Sequence, residues 1–284
     1  MQWSGSRRSE HVEDRRGVRL GGGLGLGLGG VLLAIAAVYF GVDPQVVSAF
    51  FDGGSGSVTS TQVPVDETPA EAEQRDFVAA VLGETEDFWR DEFAQRQAAY
   101  REPDLVLFRD GVQSACGIAQ SAVGPFYCPS DQKVYLDLAF LADLRTQLGA
   151  PGDFAQAYVI AHEVGHHVQN LLGISEQVRA QQQRAGPEGA NELSVRLELQ
   201  ADFLAGAWAH HADRMRHILE RGDLEEALNA AGRIGDDVLQ RRATGRVAPD
   251  SFTHGTAEQR VRWLRRGMES GRIEDGDTFA ARDL

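Results

Sequence analysis

The segment that most constrains the fold is a histidine–glutamate–x–x–histidine pattern inside an apolar run. His162 and His166 lie four residues apart, and the run before them, residues 155–161, predicts a helix. Side chains at i and i+4 share one face of a helix, so the two imidazoles point the same way. Imidazoles at this spacing can bind one Zn²⁺, and Glu163 then lies beside the metal as a general base. The alternative is a solvated helix face, which the apolar surroundings disfavour because buried polar groups need partners.

A catalytic zinc needs a third protein ligand, and residues 197–208 supply the best candidate. As a helix this segment is apolar on nearly all sides, which predicts burial. Glu198 and Asp202 share one face of it, and buried carboxylates are rare unless they are paired or bind metal. We expect Glu198 to be the third ligand and Asp202 to accept the free ring N–H of a ligating histidine. Alternatively, the two carboxylates form salt bridges with arginines such as Arg196 or Arg241.

The two predicted helices can approach closely because each carries small residues. These are Ala161 and Gly165 on the first helix, and Ala201, Ala205 and Gly206 on the second. We therefore expect the carboxylates to reach the histidines.

Four other histidines fit this metal site poorly. His210 and His211 begin about 18 Å beyond Glu198 along a continuous helix. His167 points about 100° away from His166 and is expected to be a packed or surface residue. His217 lies in a charged segment and is expected to be solvated.

A family resemblance emerges from the order of several motifs. They are residues 162–167, 198–202 and 252–263, preceded by residues 124–129 and 134–137. Over roughly residues 75–270 this order resembles the bacterial family described as putative neutral zinc metallopeptidases. The resemblance implies a zinc site of the gluzincin type, in which His162, His166 and Glu198 hold one zinc ion and Glu163 is catalytic.

The last of these motifs contains His254, just before a predicted helix. Thr256 and Gln259 form a capping-box pattern at the start of that helix. A loop histidine followed by glycine can reach the metal cleft and stabilise the oxyanion of peptide hydrolysis, so His254 is a candidate catalytic residue. The alternative is a histidine that bonds only to the start of the helix.

Charge and cysteine content narrow the possible partners. The formal net charge of −14 argues against nucleic acid, whose recognition normally leaves a basic surface. Cys116 and Cys128 lack the C-x-x-C spacing of common metal sites. They are expected to form a disulfide outside the cytoplasm and to remain free thiols inside it.

The N-terminal region predicts a membrane anchor. Residues 20–42 carry no charge, and as a helix they would extend about 34 Å, enough to cross a bilayer core of about 30 Å. Arginines are frequent in residues 1–19 and absent between Arg19 and Arg75, which places the N-terminus in the cytoplasm and the rest outside. The alternatives are a Gly-rich tail and a cleaved signal peptide, and the second has a poor cleavage site.

The predicted organisation follows from these assignments. Five segments are expected: a cytoplasmic tail (1–19), a lipid-contacting anchor (20–42), a flexible linker (43–74), a zinc metallopeptidase domain (75–270) and a C-terminal tail (271–284). Short strands are predicted at 105–108 and 134–138, with another possible at 124–128, and most of the remaining domain reads as helix punctuated by loops such as 186–189. The fold class is therefore α+β, mostly helical with a small sheet.

The leading functional hypothesis is a membrane-anchored zinc endopeptidase, extracytoplasmic, that hydrolyses peptide or protein substrates with a metal-activated water and Glu163 as base. An edge strand near the metal, either 124–128 or 134–138, is expected to bind the peptide in extended form. The rival hypothesis is a non-catalytic, zinc-stabilised membrane module that binds partners. The presence of Glu163 favours the enzyme.

Overall fold

The computed structural model describes residues 1–21, 59–121 and 124–284. The strands in these ranges are Val12–Asp14 (β1), Val18–Gly21 (β2), Thr59–Gln62 (β3), Asp104–Phe108 (β4), Gly111–Ser114 (β5), Gly117–Gln120 (β6), Phe126–Cys128 (β7) and Lys133–Asp137 (β8). The helices are Pro69–Gln95 (α1), Leu138–Thr146 (α2), Asp153–Leu171 (α3), Ile174–Gln182 (α4), Pro187–Arg216 (α5), Asp223–Arg233 (α6), Asp236–Thr244 (α7) and Ala257–Ser270 (α8). Short 3₁₀ turns occupy Pro249–Ser251 and Ile273–Gly276.

A four-stranded mixed sheet has the order β1-β4-β8-β7. Strands β1 and β8 run parallel to β4, whereas β7 is antiparallel to β8 and forms one edge. The last four residues of both β4 and β8 are buried, as the apolar runs in the sequence predict. Two smaller antiparallel pairs, β2 with β3 and β5 with β6, complete the strands. The predicted α+β class with a small sheet is confirmed.

Helix α3 lies in the middle of the helical layer and packs against α1, α5 and α6. Helix α8 crosses α5 at two glycines. A Cβ on Gly206 would overlap the backbone carbonyl of Leu264, and a Cβ on Gly267 would overlap that of Phe203. The two backbones therefore touch where the second half of α8 lies against the centre of α5.

The segment before the predicted anchor is part of the folded body. Strand β1 pairs with β4, and the Met1 ammonium lies 2.7 Å from the Asp153 carboxylate on α3. Strand β2, at the end of that segment, pairs with β3, which follows the uncharged stretch in the sequence.

The predicted single-pass topology is therefore wrong. It would separate residues 1–19 from the catalytic domain by a bilayer, yet both contribute strands to one sheet. Residues 22–42 of the predicted anchor lie outside the described residues, and residues 20 and 21 belong to β2. In the three described ranges, no helix combines the length and apolar character that crossing a membrane requires. The extracytoplasmic assignment, which depended on that anchor, falls with it.

Other boundaries also differ from those predicted. Helix α1 begins at Pro69, inside the predicted linker, and Thr68 and Glu71 form its capping box. Strand β3 also lies within that linker, and residues 43–58 are outside the described residues. The predicted loop at 186–189 is largely the first turn of α5, because proline suits the first position of a helix.

The predicted disulfide is present. Cys116 lies in the turn between β5 and β6, and Cys128 ends β7, with their Cα atoms 5.8 Å apart. The bond therefore ties the β5–β6 hairpin to the edge strand of the main sheet. The disulfide was predicted from an extracytoplasmic location, and the structure does not support that location.

Candidate metal centre

Three predicted ligands converge between helices α3 and α5. The Nε2 atoms of His162 and His166 are 3.2 Å apart. The Glu198 carboxylate lies 3.2 Å from the first and 3.3 Å from the second. Donor atoms held at about 2.0 Å in a tetrahedron are separated by about 3.3 Å, so the spacing fits one zinc ion.

Small residues permit this approach of the two helices. A Cβ on Gly165 would lie 3.2 Å from the backbone oxygen of Ala201. The side chains of one turn of each helix can thus meet, as the sequence predicted.

Asp202 fixes the orientation of His162. Its Oδ1 lies 2.8 Å from His162 Nδ1, and Tyr158 donates its hydroxyl to the same oxygen at 2.6 Å. Arg260 of α8 donates two hydrogen bonds of 2.9 Å to the carboxylate. Burial raises the pKa of Asp202, but Arg260 and His162 lower it to about 2. The ionised carboxylate only accepts, so His162 carries a proton on Nδ1, and in its neutral, metal-binding form it presents the lone pair of Nε2 to the site.

The alternative prediction, a salt bridge to an arginine, is therefore partly correct for Asp202, but the arginine is not one of the two that were named. Arg260, not Arg196 or Arg241, is the partner. Arg196 pairs instead with Glu192 on the surface of α5.

The electrostatic field of the site favours a cation. Burial lowers the pKa of both imidazoles, but Asp202 and Glu198 raise that of His162 above its usual range. Glu198 raises the pKa of His166 to about 9. Burial raises the pKa of Glu198, yet His166 and His254 hold it well below its usual range. The donor set and its charge both suit a divalent metal.

Glu163 lies beside the site without joining the three converging donors. The residue is 8% exposed, and its carboxylate is close enough to raise the pKa of His166. A carboxylate in this position can accept a proton from a molecule bound in the cleft.

His254 is held by Asp236, the first residue of α7. One oxygen of Asp236 accepts the backbone N–H groups of residues 253–255, and the other lies 3.2 Å from His254 Nδ1. The His254 side chain is 47% exposed. Its charge is among those that lower the pKa of Glu198, so the ring lies near the ligand cluster. The structure therefore combines local bonding with proximity to the site.

His167 fixes the edge strand β7 to α3. Burial lowers its pKa to about 4, so the ring is neutral. Its Nε2 donates to the Arg101 carbonyl at 2.6 Å, and its Nδ1 lies 3.1 Å from the Tyr127 hydroxyl. Asn170 donates to the same hydroxyl. Of the two strands predicted to bind peptide, β7 forms the edge and β8 lies inside the sheet.

Sequence reasoning missed several residues of this site. Each forms a hydrogen bond with a predicted site residue or with the hydrogen-bond partner of one; they are Arg260, Asp236, Tyr158, Gln169 and Gln200. Gln169 had a usable sequence signal, because it follows His166 by three residues and so lies on the same face of the helix.

Comparisons with known proteins agree with the motif resemblance. The model of the family "Putative neutral zinc metallopeptidase" matches residues 1–279. The uncharacterized protein YpfJ of Escherichia coli (strain K12) is 48% identical over 289 aligned residues, covering 98% of this chain and 99% of the relative. The uncharacterized protein Rv2575 of Mycobacterium tuberculosis is 46% identical over 195 residues, 65% of each chain. No solved structure matches the chain.

Proposed function

The chain belongs to the putative neutral zinc metallopeptidase family, and we propose that it is a zinc-dependent endopeptidase whose metal is held by His162, His166 and Glu198. The observation that carries the proposal is the 3.2–3.3 Å spacing of the three donor atoms beside Glu163. One zinc ion per chain satisfies this donor set.

Zinc bound there supplies a Lewis acid that polarises a peptide carbonyl and makes water more acidic. Glu163 accepts the proton of the attacking water and delivers it to the leaving amine. His254 donates a hydrogen bond to the oxygen that gains negative charge, while Asp236 holds the ring in place. Asp202, ionised by Arg260, keeps the Nε2 lone pair of His162 directed into the site.

The substrate in this proposal is an extended peptide that adds to the edge of the sheet. Strand β7 is three residues long, and among the strands of residues 1–21, 59–121 and 124–284 it pairs only with β8, which leaves its outer side at the edge of the sheet. Contacts of His167 and Asn170 with Tyr127 hold it next to α3. Backbone hydrogen bonds to such an edge align a peptide independently of its sequence, which suits an endopeptidase.

The decisive variant is Glu163→Gln, because glutamine keeps the shape of the side chain but cannot take the proton. It should retain stoichiometric zinc and the parent's melting temperature while protein cleavage falls by about 10²–10⁴. Glu192→Gln is the matched control, since Glu192 is an exposed glutamate on α5. Equal cleavage by the parent and Glu163→Gln would refute the mechanism.

The ligand set has its own test by metal analysis. His162→Ala, His166→Ala and Glu198→Ala should each abolish stoichiometric zinc. If Glu198→Ala keeps full zinc occupancy while Asp202→Ala loses it, the third ligand has been misassigned.

The same measurements address the rival function of a non-catalytic, zinc-stabilised interaction module. Such a module would bind zinc but show no cleavage in the parent. The retained Glu163 and the Asp236–His254 pair favour the enzyme, because a purely structural zinc needs neither a nearby base nor a second oriented histidine.

A further inference from the structure

A chain of hydrogen bonds leads from His166 to the C-terminal segment, residues 273–284. His166 Nδ1 lies 2.8 Å from Gln169 Oε1. Gln169 Nε2 donates to Gln200 Oε1 at 3.1 Å and to the Leu197 carbonyl at 2.7 Å. Gln200 Nε2 donates to the Gly276 carbonyl at 3.1 Å. We call Gln169, Gln200 and the Gly276 carbonyl the amide relay.

The direction of the relay is fixed by backbone carbonyls, which can only accept. The Gly276 carbonyl requires the NH₂ group of Gln200, so the oxygen of Gln200 faces Gln169. The Leu197 carbonyl and that oxygen both require the NH₂ group of Gln169, whose own oxygen then faces His166. In the neutral form that binds a metal, His166 must therefore carry its proton on Nδ1, which leaves the lone pair on Nε2, the atom that faces His162 and Glu198.

The two histidines are thus oriented by different chemistry. His162 is backed by the ionised Asp202, whereas His166 is backed by a neutral amide. Glu163, Glu198 and Asp202 already give the site three carboxylates. A neutral partner fixes the second imidazole without adding another buried negative charge, which would require its own counterion.

The far end of the relay is itself held in place. Arg196 of α5 donates to the Thr278 carbonyl at 2.6 Å, and the Thr278 hydroxyl donates back to the Arg196 carbonyl at 2.6 Å. A Cβ on Gly276 would overlap the ring of Phe203, so the segment lies directly on α5. Gln169 and Gln200 are both buried.

We propose that Gln169 and Gln200 are positioning residues that hold His166 in its zinc-binding tautomer, and that the Gly276 carbonyl makes the C-terminal segment part of the metal centre. The proposal rests on the ligand set of the proposed function. It assigns residues 273–284 a role in metal affinity that their distance in sequence from the motif conceals.

The test is the zinc dissociation constant, measured by competition with a chromophoric chelator. Gln169→Leu removes the direct partner of His166 and should weaken zinc binding about 10–100-fold. Gln200→Leu acts one step further away and should weaken it about 2–10-fold, the range of one net hydrogen bond. The double variant should bind zinc as Gln169→Leu does, because both residues act through the same imidazole.

Gln240→Leu is the matched control, since Gln240 is a buried glutamine whose hydrogen bonds go to Ser251 and Ala248, outside the relay. It should lower the melting temperature without changing zinc affinity. The Co²⁺-substituted protein gives a second readout, because a reoriented His166 shifts the visible absorption of Gln169→Leu and leaves that of Gln240→Leu unchanged.

A measurement on the parent protein covers the case in which a variant does not fold. Nitrogen NMR of the zinc-loaded parent should show His166 protonated on Nδ1, and protonation on Nε2 would overturn the relay. A parent that binds no zinc would overturn both the metal centre and the relay. A parent that binds zinc, with Gln169→Leu and Gln200→Leu unchanged within twofold, would overturn the relay alone.

Discussion

Arg260→Met should be among the most destabilising single substitutions in this protein, although Arg260 touches no substrate in the proposed mechanism. The side chain of Arg260 is 4% exposed and that of Asp202 is fully buried. Methionine fills a similar volume but leaves the Asp202 carboxylate without its counterion.

The size of the effect follows from the bonds that remain. Breaking a buried ion pair by removing one partner costs about 3–5 kcal/mol. Asp202 keeps the Tyr158 hydroxyl at 2.6 Å and the His162 ring at 2.8 Å, so we expect the lower end, about 3 kcal/mol. At about 2–4 °C per kcal/mol, the melting temperature should fall by about 6–12 °C.

Urea unfolding at pH 7 with saturating zinc measures this difference. Arg262→Met is the matched control, because Arg262 lies on the same helix with an exposed partner, Glu258, and should cost less than about 0.5 kcal/mol. Asp202→Asn combined with Arg260→Met removes both charges and should recover at least about 1 kcal/mol relative to Arg260→Met alone. A loss below about 1 kcal/mol for Arg260→Met would refute the argument that Asp202 needs this arginine.

Three further predictions test packing, the disulfide and pH dependence. Gly206→Ala should cost about 1–3 kcal/mol in urea unfolding because its methyl group meets the backbone of α8, whereas Gly232→Ala, whose methyl group has ordinary contacts, should cost nothing; equal effects would contradict the backbone contact. Replacing Cys116 and Cys128 by serine should cost about 3 kcal/mol but leave zinc affinity unchanged, because neither cysteine is among the three converging donors; weakened zinc binding would contradict this. The folded-state pKa of His167 is about 4, below its ordinary value of about 6.5, so its contribution is complete above pH 6.5 and is lost as the pH falls towards 4. The parent should therefore lose up to about 3 kcal/mol more than His167→Gln over that range, and parallel stability curves would contradict this.

The convergence of the predicted ligands could be anticipated because its signals are local. The spacing of His162 and His166 is a property of one helix, and Glu198 stood out as a charge within an apolar helix. Burial of α3 and the centre of α5 followed from the same apolar pattern. Helix and strand positions near these motifs were predicted within a few residues for the same reason.

The residues behind the ligands could not be predicted, because only tertiary contacts distinguish them. Arg260 is one of four arginines on α8, and nothing in its spacing marks it as the buried one. Gln169 and Gln200 belong to a residue type that is mostly exposed in proteins. Their role depends on a backbone carbonyl at Gly276, which carries no sequence signal at all.

The topology prediction failed because its charge argument counted arginines that belong to the folded body. The positive-inside rule treats basic residues beside an apolar stretch as markers of the cytoplasmic side. Arg16, however, is 1% exposed and pairs with Asp14 and Glu67, on either side of the uncharged stretch. Arg7 and Arg8 likewise bond carboxylates on α1. Because these three arginines pair with carboxylates of the folded body, their position before residues 20–42 is explained by packing and does not support a membrane topology.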